Sequence, residues 1–277
     1  MRQKSINNSF LYFGLVLFAI VAIIPFLYMF STSMLESSYS IPFPPKLFPS
    51  RINFSNYFTA WKSNNFGQYF ANSLLVATSS TLIIMFVSCL SAFGFSRIKF
   101  PGREFLFSIF LFSMMVPSIT NITPIFTIMK SLDLIDSYFG LTLLYSGISI
   151  ASNTYFLRNF FLIFPHELEE AMTIDGGTRW TCFLHLLLPL SKPAIATFGI
   201  LTFAGNWDEF LYALIFIKTE SKRTLPIAIK LFEGQHLNNW SLIFAASLIA
   251  IVPILIIYIL FQKYLIKGGS LDGTLKE

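Results

Sequence analysis

Hydrophobic positions run along most of this chain in blocks rather than in the 3.6- or 2-residue periods of a soluble domain. Six blocks reach about 20 residues, the length that crosses a hydrocarbon core: 10–32, 71–96, 105–127, 138–157, 194–216 and 242–262. They predict an all-α fold, a polytopic transmembrane bundle of six spans forming one domain over 1–277. The first block follows Arg2 and Lys4 but is long, contains Pro25 and lacks a small-x-small cleavage site, so it reads as a retained helix rather than a leader.

Two polar intervals are long. Residues 33–70 carry "IPFPPKLFPS" and "NFSNYFTAWKSNN", prolines that resist helix beside aromatics suited to a membrane interface, and predict an outer loop. Residues 158–193 have a periodicity of their own. Pro165 can open a helix, Glu167, Glu169 and Glu170 place negative charge near its positive end, and Leu168, Ala171 and Met172 form a narrow apolar stripe. Gly176 and Gly177 stop it. Thr178 can cap a second helix in which Trp180, Phe183, Leu184 and Leu187 repeat at i, i+3, i+4 and i+7, closed by Pro189 and Pro193. The expectation is helix, sharp turn, helix between two spans.

Composition sharpens the membrane reading: 55% of the residues are hydrophobic and 12% charged, against about 25% charged in a soluble domain. With the N-terminus inside, 11 of the 19 Lys and Arg fall in inner segments, and the short loop Arg97–Arg103 is densely basic. Both termini are therefore expected in the cytoplasm. The net charge of +5 is accounted for by inner-surface lysines and arginines and calls for no nucleic acid. An inner leaflet is anionic, so the acidic face around Glu169 and Glu170 points to a protein partner rather than to lipid.

Enzymatic chemistry finds only near misses. His166-Glu167-Leu168-Glu169-Glu170 has a glutamate where a zinc motif needs its second histidine, and Gly147-Ile148-Ser149-Ile150-Ala151 is half a nucleophile elbow with no strand before it. None of the fourteen glycines precedes a lysine, so there is no phosphate loop. Cys89 and Cys182 have no metal spacing and read as packing residues, and His185 and His236 as ordinary helix and loop residues. No metal, no catalytic residue and no cofactor in this chain is expected.

One block carries a cost. "GNWDEF" puts Asn206, Asp208 and Glu209 inside an apolar run, where ionisable groups face a cavity or a neighbouring helix. Asn206 and Glu209 share a face. Both readings stay open: hydrogen bonds between helices, or a solute path.

With these residues in view, the chain resembles the inner-membrane permease subunits of ATP-binding-cassette importers, and within them the MalG-type subunit of the carbohydrate branch. That family's signature is Glu-Ala-Ala, then Asp-Gly-Ala, then Ile-x-Leu-Pro; here stand Glu170-Ala171-Met172, Asp175-Gly176-Gly177 and Leu186-Leu187-Leu188-Pro189. The stretches "NSLLVATSST", "SRIKFPGREFLF", "MMVP", "NWDEFLYAL", "TLPIAI" and "FQKYLIKGG" resemble those of the branch in the same order.

The resemblance implies that 158–193 holds a cytoplasmic coupling helix docking on a separate ATPase subunit. Glu170 and Asp175 would make polar contacts, Ala171 and Met172 a close-packed face, Gly176 the turn, with Leu188 and Pro189 closing the motif. It further implies a second permease subunit in a heterodimer, a pair of ATPase subunits that bind the ATP, an extracytoplasmic solute-binding protein meeting the segment from Lys222 to Trp240, and a tail, Gly268 to Glu277, reaching the ATPase. The implied function is translocation of a sugar or oligosaccharide through the cell membrane of a prokaryote by alternating access. Other solutes, such as a phosphorylated polyol or a polyamine, fit the same scaffold; a proton-coupled secondary transporter using Asp208 or Glu209, or an intramembrane enzyme, would be a different class.

Overall fold

The computed structural model describes residues 2–36, 38, 44, 47–49, 52–235 and 239–269, which are helical wherever they are regular. Most of "IPFPPKLFPS", His236 and the tail beyond Gly269 lie outside the described residues. The chain divides into two compact units, Met1–Phe70 with Ile227–Val252, and Ala71–Pro226 with Pro253–Glu277.

The first unit opens with α1 (Arg2–Ser33) and α2 (Ser55–Lys62). α1 leaves its apolar residues uncovered within the chain from Leu11 to Phe26, with Phe18 as much as 73% exposed. Its C-terminal carbonyls are satisfied by a side chain far along the sequence: Asn56, buried on α2, donates from Nδ2 to the oxygens of Ser33 (2.9 Å) and Leu35 (2.5 Å). This meets the need of a helix end for partners beyond its own ladder.

The second unit takes up most of α3 (Phe66–Arg97), then α4 (Arg103–Met115), α5 (Ile122–Ser131), α6 (Tyr138–Leu162) and α7 (Glu167–Ile174). α8 (Arg179–Cys182), a π-helical turn (Phe183–Leu187) and α9 (Leu188–Leu190) run on as one rod, followed by α10 (Lys192–Trp207) and α11 (Leu211–Phe216). The chain closes with α12 (Leu225–Gln235) and α13 (Trp240–Gly269). The core of this unit gathers Cys89, Ala92 and Phe93 of α3, Leu157 and Phe161 of α6, Phe183 and Leu187 of the π turn and Ala194 of α10, all buried. Phe93 and Phe183 lie ring to ring at 4.8 Å.

Three helices among the described residues are long and apolar enough to cross a membrane: Leu11–Ser33, Phe66–Arg97 and Trp240–Tyr264. Two of the blocks read as single spans are broken. The block 105–127 becomes α4 and α5, bent by 94°. Pro117 lies at the bend, lacks an amide hydrogen and biases Val116 to an extended backbone, φ −81° and ψ 120°. The block 194–216 becomes α10 and α11, interrupted at Asp208–Phe210. A further bend of 73° separates the rod Arg179–Leu190 from Lys192–Trp207. With each bent pair counted as one span, the number rises to five. The block 138–157 is helical but runs five residues further, to Leu162.

A polar knot joins the α5–α6 turn to the segment after α11. Asp136, at φ 57°, accepts hydrogen bonds from the amides of Lys218 (2.9 Å) and Thr219 (2.8 Å), the Thr219 hydroxyl (2.5 Å) and the Lys222 ammonium (3.2 Å). Burial pushes its carboxyl upward, but these bonds, the Thr219 hydroxyl first, outweigh it and hold Asp136 well below the usual carboxylate range. Beside it Asn72 donates to the carbonyls of Ser221 and Arg223, both at 2.9 Å, and accepts from the Tyr138 hydroxyl.

Candidate functional site

Two regions of the second unit concentrate polar side chains: the turn between α7 and α8, and a cavity between α6 and α10.

α7 starts at Glu167, two residues after Pro165, with Glu167, Glu169 and Glu170 in its first turn. It stops where the backbone turns left-handed: Gly176 has φ 83°, its amide reaches Thr173 O (3.0 Å), and the Gly177 amide reaches Met172 O (2.9 Å). These bonds satisfy the last carbonyls of the helix. Thr178 then caps α8, its hydroxyl accepting from the Thr181 amide at 3.2 Å.

The residues of this motif divide between a free face and an anchored one. Glu170, Ala171, Asp175 and Gly176 are exposed, together with Leu168, Ile174 (86%) and Trp180 (53%). Met172 is not part of that face: it is half-buried and folds under the turn, where a Cβ on Gly177 would stand 2.8 Å from its Cγ and 2.7 Å from its carbonyl oxygen. Leu188 is half-buried and packs against the core cluster, whereas Pro189 is exposed. A run of exposed apolar and acidic residues on a short projecting helix fits a protein partner better than water.

The anchored side rests on Arg97, the last residue of α3, whose place in the basic stretch Arg97–Arg103 gives no sign of this role. Its side chain is 2% exposed and forms an ion pair with Glu169 at 3.0 Å. It also donates to the carbonyls of Phe161 and Phe164 (the latter at 2.8 Å) where α6 ends, and to Nδ1 of His166 at 3.1 Å. Arginine cannot accept, so Nδ1 is the acceptor and the proton of a neutral His166 sits on Nε2. A groove of about 570 Å³ lies alongside, lined by Arg97, Lys99 and Arg179 opposite Glu169 and Glu170.

The cavity has a volume of about 630 Å³ and is lined by Tyr145, Ser149, Ser152, Asn153 and Phe156 of α6, and Phe198, Thr202, Gly205 and Asn206 of α10, with Glu209 and Tyr212 beyond them. Phe156 and Phe198 stack at 5.0 Å. Thr202 donates to Asn153 Oδ1 (3.0 Å), and Asn206 donates to Ser80 Oγ (3.0 Å) and Thr81 Oγ1 (3.3 Å) on α3. Glu209 caps α11: its oxygens accept the amides of Tyr212 (2.7 Å) and Ala213 (3.0 Å) and the Tyr145 hydroxyl (2.5 Å). Asn206 and Glu209 thus face one cavity, while Asp208 is exposed and outside its lining. Stacked aromatic faces beside hydroxyls and amides can hold a polyhydroxylated solute by stacking and hydrogen bonding. Irregular backbone inside an apolar span is tolerated where it lines such a cavity.

The chain is similar to known proteins over most of its length. Residues 84–268 match the family described as "Binding-protein-dependent transport system inner membrane component". The chain is 32% identical over 280 residues to the trehalose/maltose transport system permease MalG of Thermococcus litoralis, covering 99% of this chain and 100% of that one. It is 30% identical to the diacetylchitobiose uptake system permease NgcG of Streptomyces coelicolor, over 95% of this chain and 87% of the relative. In structure it resembles a chain of a bacterial ABC transporter involved in the import of the acidic polysaccharide alginate, with a TM-score of 0.79, 25% identity, and coverage of 95% of this chain and 98% of that one. The match over two thirds of its length, on a helical scaffold with broken spans, places the chain among the binding-protein-dependent transport system inner membrane components: it is the non-catalytic, multi-pass permease subunit of an ABC importer.

Proposed function

We propose that this permease carries a sugar or oligosaccharide. The cavity between α6 and α10 supports that reading most directly, because its paired phenylalanines and its fringe of serine, threonine, asparagine and tyrosine suit a polyhydroxylated solute. The relatives agree: their names carry trehalose, maltose and diacetylchitobiose.

The chain is proposed to cross the membrane six times, with both termini in the cytoplasm. α4 with α5 and α10 with α11 would each form one bent span. α6, 25 residues long, would rise about 37 Å, enough for a core of about 30 Å. The segment between α6 and α10 is then the cytoplasmic loop. α7 is its coupling helix, docking on an ATPase subunit through Glu170, Ala171, Asp175 and the Gly176 turn, with Met172, Leu188 and Pro189 supporting that surface from within and behind. A second permease subunit would complete the pathway, a pair of ATPase subunits would bind ATP, and a solute-binding protein would deliver substrate on the outer side. Asn206 and Glu209 belong to the path, Asp208 only to its rim.

The test is uptake by vesicles holding the assembled transporter. Sugar uptake should require binding protein and internal ATP, and Glu170→Lys or Gly176→Pro should abolish binding-protein-stimulated hydrolysis while the permease stays in the membrane. Uptake driven by a proton gradient without nucleotide, or preference for a polyamine or a phosphorylated polyol, would overturn the reading.

A further inference from the structure

We infer that Arg97 is a positioning residue for coupling, the joint through which α7 moves as one body with the ends of α3 and α6; the inference rests on the reading of α7 as the coupling helix. Three observations carry it. The guanidinium is almost wholly buried although it stands at the end of a helix beside a basic loop, and an arginine takes such a site only when its donors are used. Its contacts spread over three elements rather than one partner: Nη1 and Nη2 donate to His166 in the connection and to the carbonyls of Phe161 and Phe164 where α6 ends, while Nε stands in an ion pair with Glu169 on α7. Glu169, its ionic partner, is the acidic residue turned inward, whereas Glu170, one position on, is exposed and free to meet another protein.

The arrangement follows from geometry. Where α6 ends, the Phe161 carbonyl accepts only turn bonds such as that from the Phe164 amide (3.3 Å), and the last carbonyls together present a partly negative end to a cation. Arg97 fills that place with Nη2 and pairs with the Glu169 carboxylate through the neighbouring Nε. A push on the exposed side of α7 is thereby delivered to α3 and the end of α6 through the ion pair and the hydrogen bonds of Arg97, which also hold the short connection Ile163–His166 at Phe164 and His166. A lysine at 97 keeps the charge but lacks the planar fork whose separate nitrogens meet the carbonyls, His166 and Glu169.

The inference separates two glutamates that neighbour each other in sequence. Glu170→Lys acts on docking. Glu169→Gln leaves the docking face unchanged and removes the charge that ties α7 to Arg97. The experiment uses the complete transporter in vesicles and measures ATP hydrolysed per sugar imported, together with co-purification of the ATPase subunits. For Glu169→Gln and Arg97→Lys the expected result is retained ATPase subunits and a rise of about fivefold or more in ATP spent per sugar, the scale of an ordinary allosteric coupling. A ratio unchanged in both variants, with Glu170→Lys losing stimulated hydrolysis, would overturn the role of Arg97 while leaving the coupling reading standing. If Glu170→Lys also behaved as the parent protein, the coupling reading itself would fall and the inference with it.

Discussion

At the scale of single residues, the pair Met172 and Gly177 shows how two departures from a signature can answer each other. Both stand where the signature that the chain resembles has alanine, and they touch: a methyl group on residue 177 would come within 2.8 Å of Met172 Cγ and 2.7 Å of the Met172 carbonyl oxygen. Gly177→Ala should lower stability by about 1–3 kcal/mol, the usual cost of overpacking, and less when Met172→Ala is introduced with it. A double-mutant cycle on thermal unfolding in detergent reads the difference, and strict additivity would show the two positions to be independent. Gly176 and Thr178 were legible in the sequence because a left-handed stop and a hydroxyl cap are decided within four residues. Arg97 and Glu169 were not, since 72 positions separate them and nothing local marks a cation that will be buried.

Helices obey the same division. The long apolar stretches at α1, α3 and α13 stand out in the sequence because each fills a span-length window. The breaks at Pro117 and at Asp208–Phe210 vanish in such a window, which averages over the few residues where the backbone turns. Glu209 is the instructive case: its shared face with Asn206 could be read from spacing, but its work as the cap of α11 depends on a helix restart that hydropathy conceals. Glu209→Ala should therefore cost about 1–2 kcal/mol, the range for a lost cap, and leave the Tyr145 hydroxyl without its acceptor. The expected outcome is a lower unfolding midpoint in detergent together with slower uptake. A raised KM for sugar at unchanged stability would instead assign Glu209 to solute contact alone.

Across the whole molecule, relatives align with nearly the full chain although the family match begins only at residue 84, within α3. The knot at Asp136 gives this larger scale a measurable handle. Its depressed carboxyl stays ionised in the folded protein, so its contribution is complete above the ordinary carboxylate pKa of about 4 and is lost as the pH falls through the lower folded value. Asn accepts the same positive φ, so Asp136→Asn removes the charge with little strain. At neutral pH the variant should be less stable by about 1 kcal/mol, a figure discounted for partial exposure. The gap between the two unfolding midpoints should close as the pH is lowered below about 4; a gap independent of pH would mean that the charge contributes nothing. The π turn at Phe183–Leu187 has a different kind of consequence, one of counting. It holds one residue more than a plain α-helix of the same rise, and Phe183 and Leu187 are sunk in the core at its two ends. Deleting a residue there would restore regular winding with the same turn and rise, so Pro189 and the entry to α10 would keep their direction, whereas a deletion from the α-helical part of the rod would swing them by about 100°. The π turn is thus a place where the chain length can change by one without re-aiming the following span, at the cost of the packing that Phe183 and Leu187 make in the core.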